Sequence, residues 1–539
     1  MVRITPGDVL WMVVCLLLLA LPASYEPHHF AKALFVGALA QSAACVLLLL
    51  AALKRWKGAR MAVFSVLFAL FTLETFVYVV FDSRFNPAVL TLVLQTSGQE
   101  IAEFSSVYLL SWRSVCVLGA CVLTYYLLYK LISRPWRREW KLGWAWLGAA
   151  CLAVVTGLFF SQLPLPFPTG RNTLAELSES VGFIRSNHQD LERMEMLLDS
   201  IRIDGSPRPE EAPVIVLVIG ESYNKHHSSV YGYRLKTSPE MEKERKKGRL
   251  TVYDRAVTPT NGTAFAMRYL FTLQSCDDAD NTRSRCILMP AVFRKAGYRV
   301  AYFDNQYTRA SGGELDYSCV FFLNPQKTNR ACFDFRNEET LPYDNDFVNR
   351  YAKNMLTAGK SLNIIHLMGQ HFDAAKRYPA GEAHFGERDI ERSDLSRQER
   401  RQVAEYDNAT RYNDKVMGNI LRRFDKACET GVVVVFLSDH GEQIYDGTSH
   451  YFGRSFGSYH DAETLRNVYE VPFMIWCDET FERLYPAKYE AIRQAAERQL
   501  CIDDVPYLLF DLAGISFNYG QPWRSVTHKD YRRHATVFN

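Results

Sequence analysis

The first third of the chain is dominated by long apolar runs, and these constrain the fold before anything else does. They cover residues 9–21, 31–53, 61–81, 115–132 and 142–163. About 20 consecutive apolar residues are needed to cross the hydrocarbon of a bilayer. Runs two to five meet that length, and the first meets it with its flanks, residues 7–25. A cleavable signal peptide ending near Ala23-Ser24 competes for the first run. An uncleaved helix is preferred because further apolar runs follow. The expectation is a five-helix transmembrane domain over residues 1–163.

Orientation follows from Lys and Arg, which concentrate in cytoplasmic loops. The loops Lys54-Arg55-Trp56-Lys57-Gly58-Ala59-Arg60 and Arg134-Pro135-Trp136-Arg137-Arg138-Glu139-Trp140-Lys141 are strongly basic, whereas 26–29 and 82–112 hold few basic residues. Five spans with the N-terminus inside place both basic loops in the cytoplasm and everything after residue 163 outside. The segment 86–110, with Gln95, Glu100 and Glu103, reads as an interfacial helix over the bundle or as a lid over a lipid headgroup.

The whole chain of 539 residues balances 62 basic against 59 acidic residues, a net charge of +3. That balance excludes a nucleic-acid binder built on a strong basic field. With 48% hydrophobic residues it also excludes disorder. Of twelve cysteines, Cys15, Cys45, Cys116, Cys121 and Cys151 fall in the apolar runs. Cys276 and Cys286 bracket one polar loop of the outer part, and Cys319 and Cys332 bracket another. In an oxidising compartment each pair is a natural disulfide. With Cys428, Cys477 and Cys501 the outer count is odd, so at least one thiol is left over.

Residues 164–212 read as a connector: Pro164, Pro166 and Pro168 open it, an amphipathic helix covers 173–201, and Gly205-Ser206-Pro207-Arg208-Pro209 closes it. From residue 213 to 539 the pattern is α/β. Strand-like runs occur at 214–219, 298–303, 362–367, 432–437 and 471–476, with a long helix at 400–424. Alternation of this kind implies a mainly parallel central sheet with helices on both faces. Sites in such sheets lie beyond the carboxyl ends of the strands. Those ends carry Gly220-Glu221-Ser222, Asp304-Asn305-Gln306, Met368-Gly369-Gln370-His371 and Ser438-Asp439-His440-Gly441-Glu442. Glu221, Asp439 and His440 make a carboxylate-carboxylate-imidazole set suited to Zn²⁺.

These motifs carry a resemblance. Gly220-Glu221-Ser222 followed by Val230-Tyr231-Gly232-Tyr233-Arg234 and Thr237-Ser238-Pro239 resembles the opening signature of the lipid phosphoethanolamine transferases, in the alkaline phosphatase/sulfatase superfamily. Ser438-Asp439-His440-Gly441-Glu442, His366-Leu367-Met368-Gly369-Gln370-His371 and Tyr469-Glu470-Val471-Pro472-Phe473 resemble its other motifs, and the five spans resemble its membrane anchor. The resemblance implies a threonine nucleophile, matched by Thr263, with Thr260 and Thr258 as rivals and a helix cap as the structural alternative. It implies zinc held by Glu221, Thr263, Asp439 and His440. His371 and His460 then line the donor phosphate, hold a second metal or act as general acid, with His450 as a rival to His460. His366 reads as a core histidine, and His226 and His227 as loop residues. Asp304, Asn305 and Gln306 read as entrance residues or strand-end caps, and Asn408 and Asp414 as solvated or capping.

The implied reaction moves phosphoethanolamine from phosphatidylethanolamine through phosphothreonine to a lipopolysaccharide or other envelope glycan. It would proceed at the periplasmic face of a bacterial inner membrane, by a monomer among membrane lipids that binds no nucleic acid. A sulfatase-type hydrolase would need a Cys or Ser in a Cys/Ser-x-Pro-x-Arg context, and Cys286-Ile287-Leu288-Met289-Pro290 does not supply it. A glycerophosphate transferase shares the five spans and the threonine. A non-catalytic scaffold would have lost one of the four key residues, and none is missing.

Overall fold

The computed structural model describes residues 2–25, 31–53, 55–81, 90, 109–136, 140–142, 172–278, 281, 283–307, 320–355, 358–425, 428–447, 451–454 and 461–532. The chain forms two compact units. One is built mainly from Met1–Ser186, the other from Asn187–Arg454 with Tyr459–Asn539.

In the first unit, α1 (Pro6–Ala20), α2 (Ala31–Leu53), α3 (Lys57–Phe81) and α4 (Trp112–Ser133) form from the first four apolar runs. The start of α1 is fixed by a capping box. The Thr5 hydroxyl accepts from the Asp8 amide at 3.2 Å, and the Asp8 carboxylate accepts from the Thr5 amide at 2.8 Å. Asp8 also pairs with Arg60 of α3, and Trp11 Nε1 donates to Arg60 O at 3.0 Å, so the two helix starts are tied together. Three stretches are long and apolar enough to cross a membrane: Pro6–Tyr25, Lys57–Val80 and Trp112–Ser133. The expectation of five spans is therefore met by three candidates among the described residues. The fifth run lies outside them after Leu142, as does nearly all of 86–110.

Of the second unit, α5 (Thr173–Leu197) begins ahead of the boundary, and Asp190 on it pairs with Arg268 on the later helix α6 (Thr263–Phe271). The sheet has seven strands: β1 (Val214–Gly220), β2 (Leu250–Val252), β3 (Arg299–Asp304), β4 (Phe335–Arg336), β5 (Ser361–His366), β6 (Val432–Ser438) and β7 (Phe473–Cys477), in the order β2-β7-β6-β1-β5-β3-β4. Every residue of β1 and β6 is buried. On β1, Ile215, Leu217 and Ile219 face one core, while Val214, Val216 and Val218 face the other. A strand covered on both faces must be a continuous apolar run, and this one is. The long helix, α7 (Arg397–Phe424), starts at a capping box of Ser396 and Glu399 and buries Tyr406, Val416, Ile420 and Phe424 on the second face.

The sheet is mixed, not mainly parallel. β6 pairs antiparallel with β7, and β7 antiparallel with β2. The reason lies in the connection. A crossover helix would carry the chain back to the opposite edge, but what leads into β7 is a short helix, Ala462–Tyr469, whose end stays beside the β6 exit: Gly441 N donates to Val468 O at 2.8 Å. The next strand starts at that edge and can only run back. β2 and β4 are only two or three residues long and gave no sequence signal.

Cys319 lies outside the described residues. Cys286 is buried in the core, and Cys276 stands within 4.8 Å of both the Cys501 thiol and the Asp503 carboxylate, a neighbour that loop-bracketing did not anticipate.

His227, read above as a loop residue, is instead a buried tether. Its Nδ1 lies 2.7 Å from Asp407 on α7 and its Nε2 3.1 Å from Asp446. Carboxylates only accept, so both ring nitrogens carry hydrogen and the ring is an imidazolium. Tyr233 donates to Asp407 at 2.9 Å, and Arg392 donates to Asp446 at 3.0 Å. Burial opposes the charge on His227, but Asp407 and Asp446 outweigh it and lift the pKa to about 10. A folded pKa above the unfolded value of about 6.5 gives stability that is complete below that value and fades as pH rises toward the folded pKa. Removing one partner of a buried ion pair costs about 3–5 kcal/mol. We therefore expect His227→Gln to lose about that much in denaturant unfolding of the purified full-length protein near neutrality. The gap to wild type should narrow as pH is raised toward 10; a gap independent of pH would mean a neutral ring.

Candidate active site

β1 and β6 are parallel neighbours with Gly220 opposite Ser438. Glu221 and the Asp439-His440 pair therefore leave the sheet side by side. Backbone bonds hold them there: Asp439 N donates to Gly220 O at 3.2 Å and Tyr223 N to His440 O at 3.1 Å. The loop after β5 closes over Glu221, with Gln370 N donating to Glu221 O at 3.0 Å. Gly369 in that loop has φ +52°, and a Cβ there would stand 2.8 Å from Glu221 N, so only glycine allows this approach.

Glu221, Asp439 and His440 are fully buried, and one ligand atom from each lies within 4.8 Å of the others. His440 Nε2 is 3.1 Å from Glu221 Oε1 and 3.2 Å from Asp439 Oδ2. His440 Nδ1 faces Gly441 O at 2.8 Å. A carbonyl only accepts, so Nδ1 carries the hydrogen, and the Arg454 N–H directed at Nε2 can only donate, which leaves the lone pair on Nε2. Burial and Arg454 lower the His440 pKa.

Thr263 is the first residue of α6. Gly262 is the N-cap and makes no side-chain cap, so the Thr263 hydroxyl is not spent on capping. It donates to Glu221 Oε2 at 3.1 Å and lies 3.2 Å from His440 Nε2. The rival hydroxyls are used locally: Thr258 donates to Thr260 O at 3.0 Å, and Thr260 Oγ1 accepts from Gly262 N at 3.3 Å.

The charges in this cluster fit a divalent cation. Burial would raise the Glu221 pKa, but the charged and hydrogen-bonding groups around it outweigh that and hold it well below the usual range. Burial and the neighbouring Glu221 push Asp439 well above its usual range. Asp439 Oδ2 accepts no hydrogen bond. Two carboxylates and an imidazole lone pair in a dry pocket are mutually unfavourable unless a proton or a cation lies between them. The donor set, two carboxylate oxygens, one imidazole nitrogen and one hydroxyl, suits Zn²⁺.

The remaining sequence-derived residues sort as follows. His371 is half-buried after β5, with Nδ1 2.9 Å from Phe372 O, close enough for its charge to act on Glu221. His460 and His450 lie outside the described residues. His366 is buried against Asp304 at 3.0 Å, a core position. Asp304 caps the end of β3 by accepting from Gln306 N at 2.9 Å and Tyr307 N at 3.0 Å, and Asn305 binds Asp344 at 2.8 Å. The Gln306 amide donates to Glu221 Oε2 at 3.1 Å and Leu367 O at 2.9 Å, fastening a cluster carboxylate. Asp414 is buried and caps the helix Pro239–Lys246, accepting from Glu240 N and Met241 N. Asn408 binds His384 N and Phe385 N, both at 2.7 Å, and His226 pairs with Glu470 at 3.2 Å.

One residue was missed. Arg454 follows the hairpin Gln443–Ile444/Phe452–Gly453; its Nη1 donates to Asn261 O at 2.7 Å and to His440 Nε2, and its Nε lies 3.6 Å from Glu442 Oε2. An arginine inside a polar insert carries no pattern that could single it out. Burial lifts the Glu442 pKa to about 7 despite Arg454.

Phosphoethanolamine transferase EptC of Escherichia coli (strain K12) is 26% identical over 488 residues, covering 84% of this chain and 80% of that protein. The C-terminal periplasmic domain of EptC from Escherichia coli, solved in complex with Zn, is similar at 25% identity and TM-score 0.51 over 63% of this chain and 93% of that one. The integral membrane lipooligosaccharide phosphoethanolamine transferase A from Neisseria meningitidis shares the fold at TM-score 0.63 and 15% identity, over 98% of this chain and 97% of its own. A model of the sulfatase family matches residues 213–515. That stretch is more than half of the chain and holds the whole cluster, so the protein belongs to the sulfatase family.

Proposed function

We propose that the protein transfers phosphoethanolamine from phosphatidylethanolamine to a lipopolysaccharide or other envelope glycan, with Thr263 as the covalent carrier. The observation that supports this most is the Thr263 hydroxyl at the start of α6, 3.1 Å from Glu221 and beside His440 in a buried acid-imidazole cluster. The names of the relatives point to the same transfer. Residues 1–163 form the membrane domain, five-pass in a bacterial inner membrane. Residues 164–212 are the connector, and 213–539 the periplasmic catalytic domain of a monomer.

Glu221, Thr263, Asp439 and His440 are the residues that would hold zinc, which when bound lowers the pKa of a hydroxyl and offsets charge on phosphoryl oxygens. A second metal would lie near His371 and His460. In the first half-reaction the Thr263 hydroxyl loses its proton to solvent, its Oγ attacks the donor phosphorus, the bond from phosphorus to the diacylglycerol oxygen breaks, and His371 gives that oxygen a proton. In the second, an acceptor hydroxyl gives its proton back to His371 as its oxygen attacks phosphothreonine, the bond from phosphorus to Thr263 Oγ breaks, and Oγ is the leaving group. Two displacements give ping-pong kinetics. The amides of the first turn of α6 face the phosphoryl group and favour its negative charge.

Two outcomes are expected. Thr263→Ala should lower transfer from phosphatidylethanolamine by roughly 10⁴-fold or more while leaving the unfolding temperature within a few degrees of wild type; full activity would remove Thr263 from the reaction. Stripping metal with a chelator should abolish transfer and lower the unfolding temperature, and added Zn²⁺ should restore both, with stabilisation of about 4 kcal/mol at a thousandfold excess over Kd. An unfolding temperature indifferent to zinc would contradict the metal assignment.

A further inference from the structure

We infer that Arg454 is the fixed cation that receives the phosphoryl oxygens of the substrate in this site. The inference rests on the reading of the cluster as a phosphoryl-transfer centre. It assigns the anion-binding role to a guanidinium rather than to the histidines that the sequence suggested.

Charge balance comes first. Glu221, Asp439 and Glu442 are all buried at the site. A divalent cation offsets two carboxylates at most. The third carboxylate would leave the site negative towards an anionic phosphodiester arriving beside Thr263 unless a further cation offset it. Arg454 supplies one that no pH in the working range removes.

Placement comes second. Gly453, at φ +116°, ends the hairpin strand in a conformation that suits glycine and lets the chain turn into the site. Arg454 Nη1 then reaches Asn261 O at 2.7 Å, two residues before Thr263, and Nε faces Glu442 at 3.6 Å. The hairpin is itself anchored. Asn467 donates to Gln443 Oε1 at 2.8 Å, and His227 and Arg392 both hold Asp446 in its turn.

Accessibility comes third. The Arg454 side chain is 14% exposed, so its rim can meet a ligand, while its bonds to Asn261 and Glu442 fix its position. Its bond to His440 Nε2 uses the same lone pair that a metal would take. That bond is therefore exchangeable, and the atom it holds, His440 Nε2, is 3.2 Å from the Thr263 hydroxyl. Guanidinium groups bind phosphate oxygens through parallel N–H donors, stronger and more directional than a single ammonium.

The test is binding of inorganic phosphate to the full-length, detergent-solubilised, zinc-loaded protein, with zinc content measured on the same samples. Arg454→Ala should weaken phosphate binding on the order of tenfold or more with zinc content unchanged, and Arg454→Lys should recover part of the loss. In Arg454→His, the affinity deficit relative to wild type should widen as pH rises through the histidine range near 6.5. Wild-type phosphate affinity in Arg454→Ala would overturn the inference. So would loss of zinc from that variant, which would mean that Arg454 only supports His440. No turnover is involved, so a protein that binds phosphate through Arg454 but forms no phosphoethanolamine adduct would sink the transfer reading and leave this one standing.

Discussion

Two buried carboxylates brought together by one strand pairing govern the rest of the catalytic unit. Gly220 opposite Ser438 in the β1–β6 register forces Glu221 and Asp439 into the same dry space. Like charges at that range cannot both ionise without a counter-ion. The opposed pKa directions of the two groups express that conflict. The imidazole of His440 does not resolve it, because its remaining nitrogen offers a lone pair and not a proton. A divalent cation resolves it, and the Thr263 hydroxyl already stands where it would complete the donor set.

Surrounding elements hold this unfavourable arrangement in place. Gln306 from the β3 exit fixes one oxygen of Glu221, and Gly369 lets the loop after β5 close on its backbone. The imidazolium of His227 ties the loop after Glu221 to α7 and to Asp446 in the hairpin turn, so three segments share one buried charge network. The same hairpin delivers Arg454 to the cluster. The fold thus couples a strained electrostatic centre to a rigid frame, which is what preorganised phosphoryl transfer requires.

Much of this was legible in the sequence, for identifiable reasons. β1 and β6 are buried on both faces and so appear as nearly unbroken apolar runs, and each is followed by the polar residues it presents. That made Glu221, Asp439 and His440 readable from position alone, and the family resemblance pointed to Thr263. The direction of β7 was not readable, because it depends on the short helix Ala462–Tyr469 staying at one edge of the sheet. The roles of His227, Gln306 and Arg454 were hidden because the partners of the first two lie 61 to 219 residues away, and the third sits in an insert without pattern, its contact with His440 spanning 14 residues. In the membrane unit, apolar length predicted helices well, but three candidate spans are supported among the described residues and not five.

The central claim is that Thr263 carries the transferred group, and the mass of the Thr263 peptide tests it most directly. After the zinc-loaded protein is incubated with phosphatidylethanolamine vesicles and quenched, the account predicts a phosphoethanolamine adduct on Thr263. It predicts no glycerophosphate adduct when phosphatidylglycerol replaces the donor. An unmodified Thr263 peptide from protein that is turning over phosphatidylethanolamine, or a glycerophosphate adduct in its place, would contradict it.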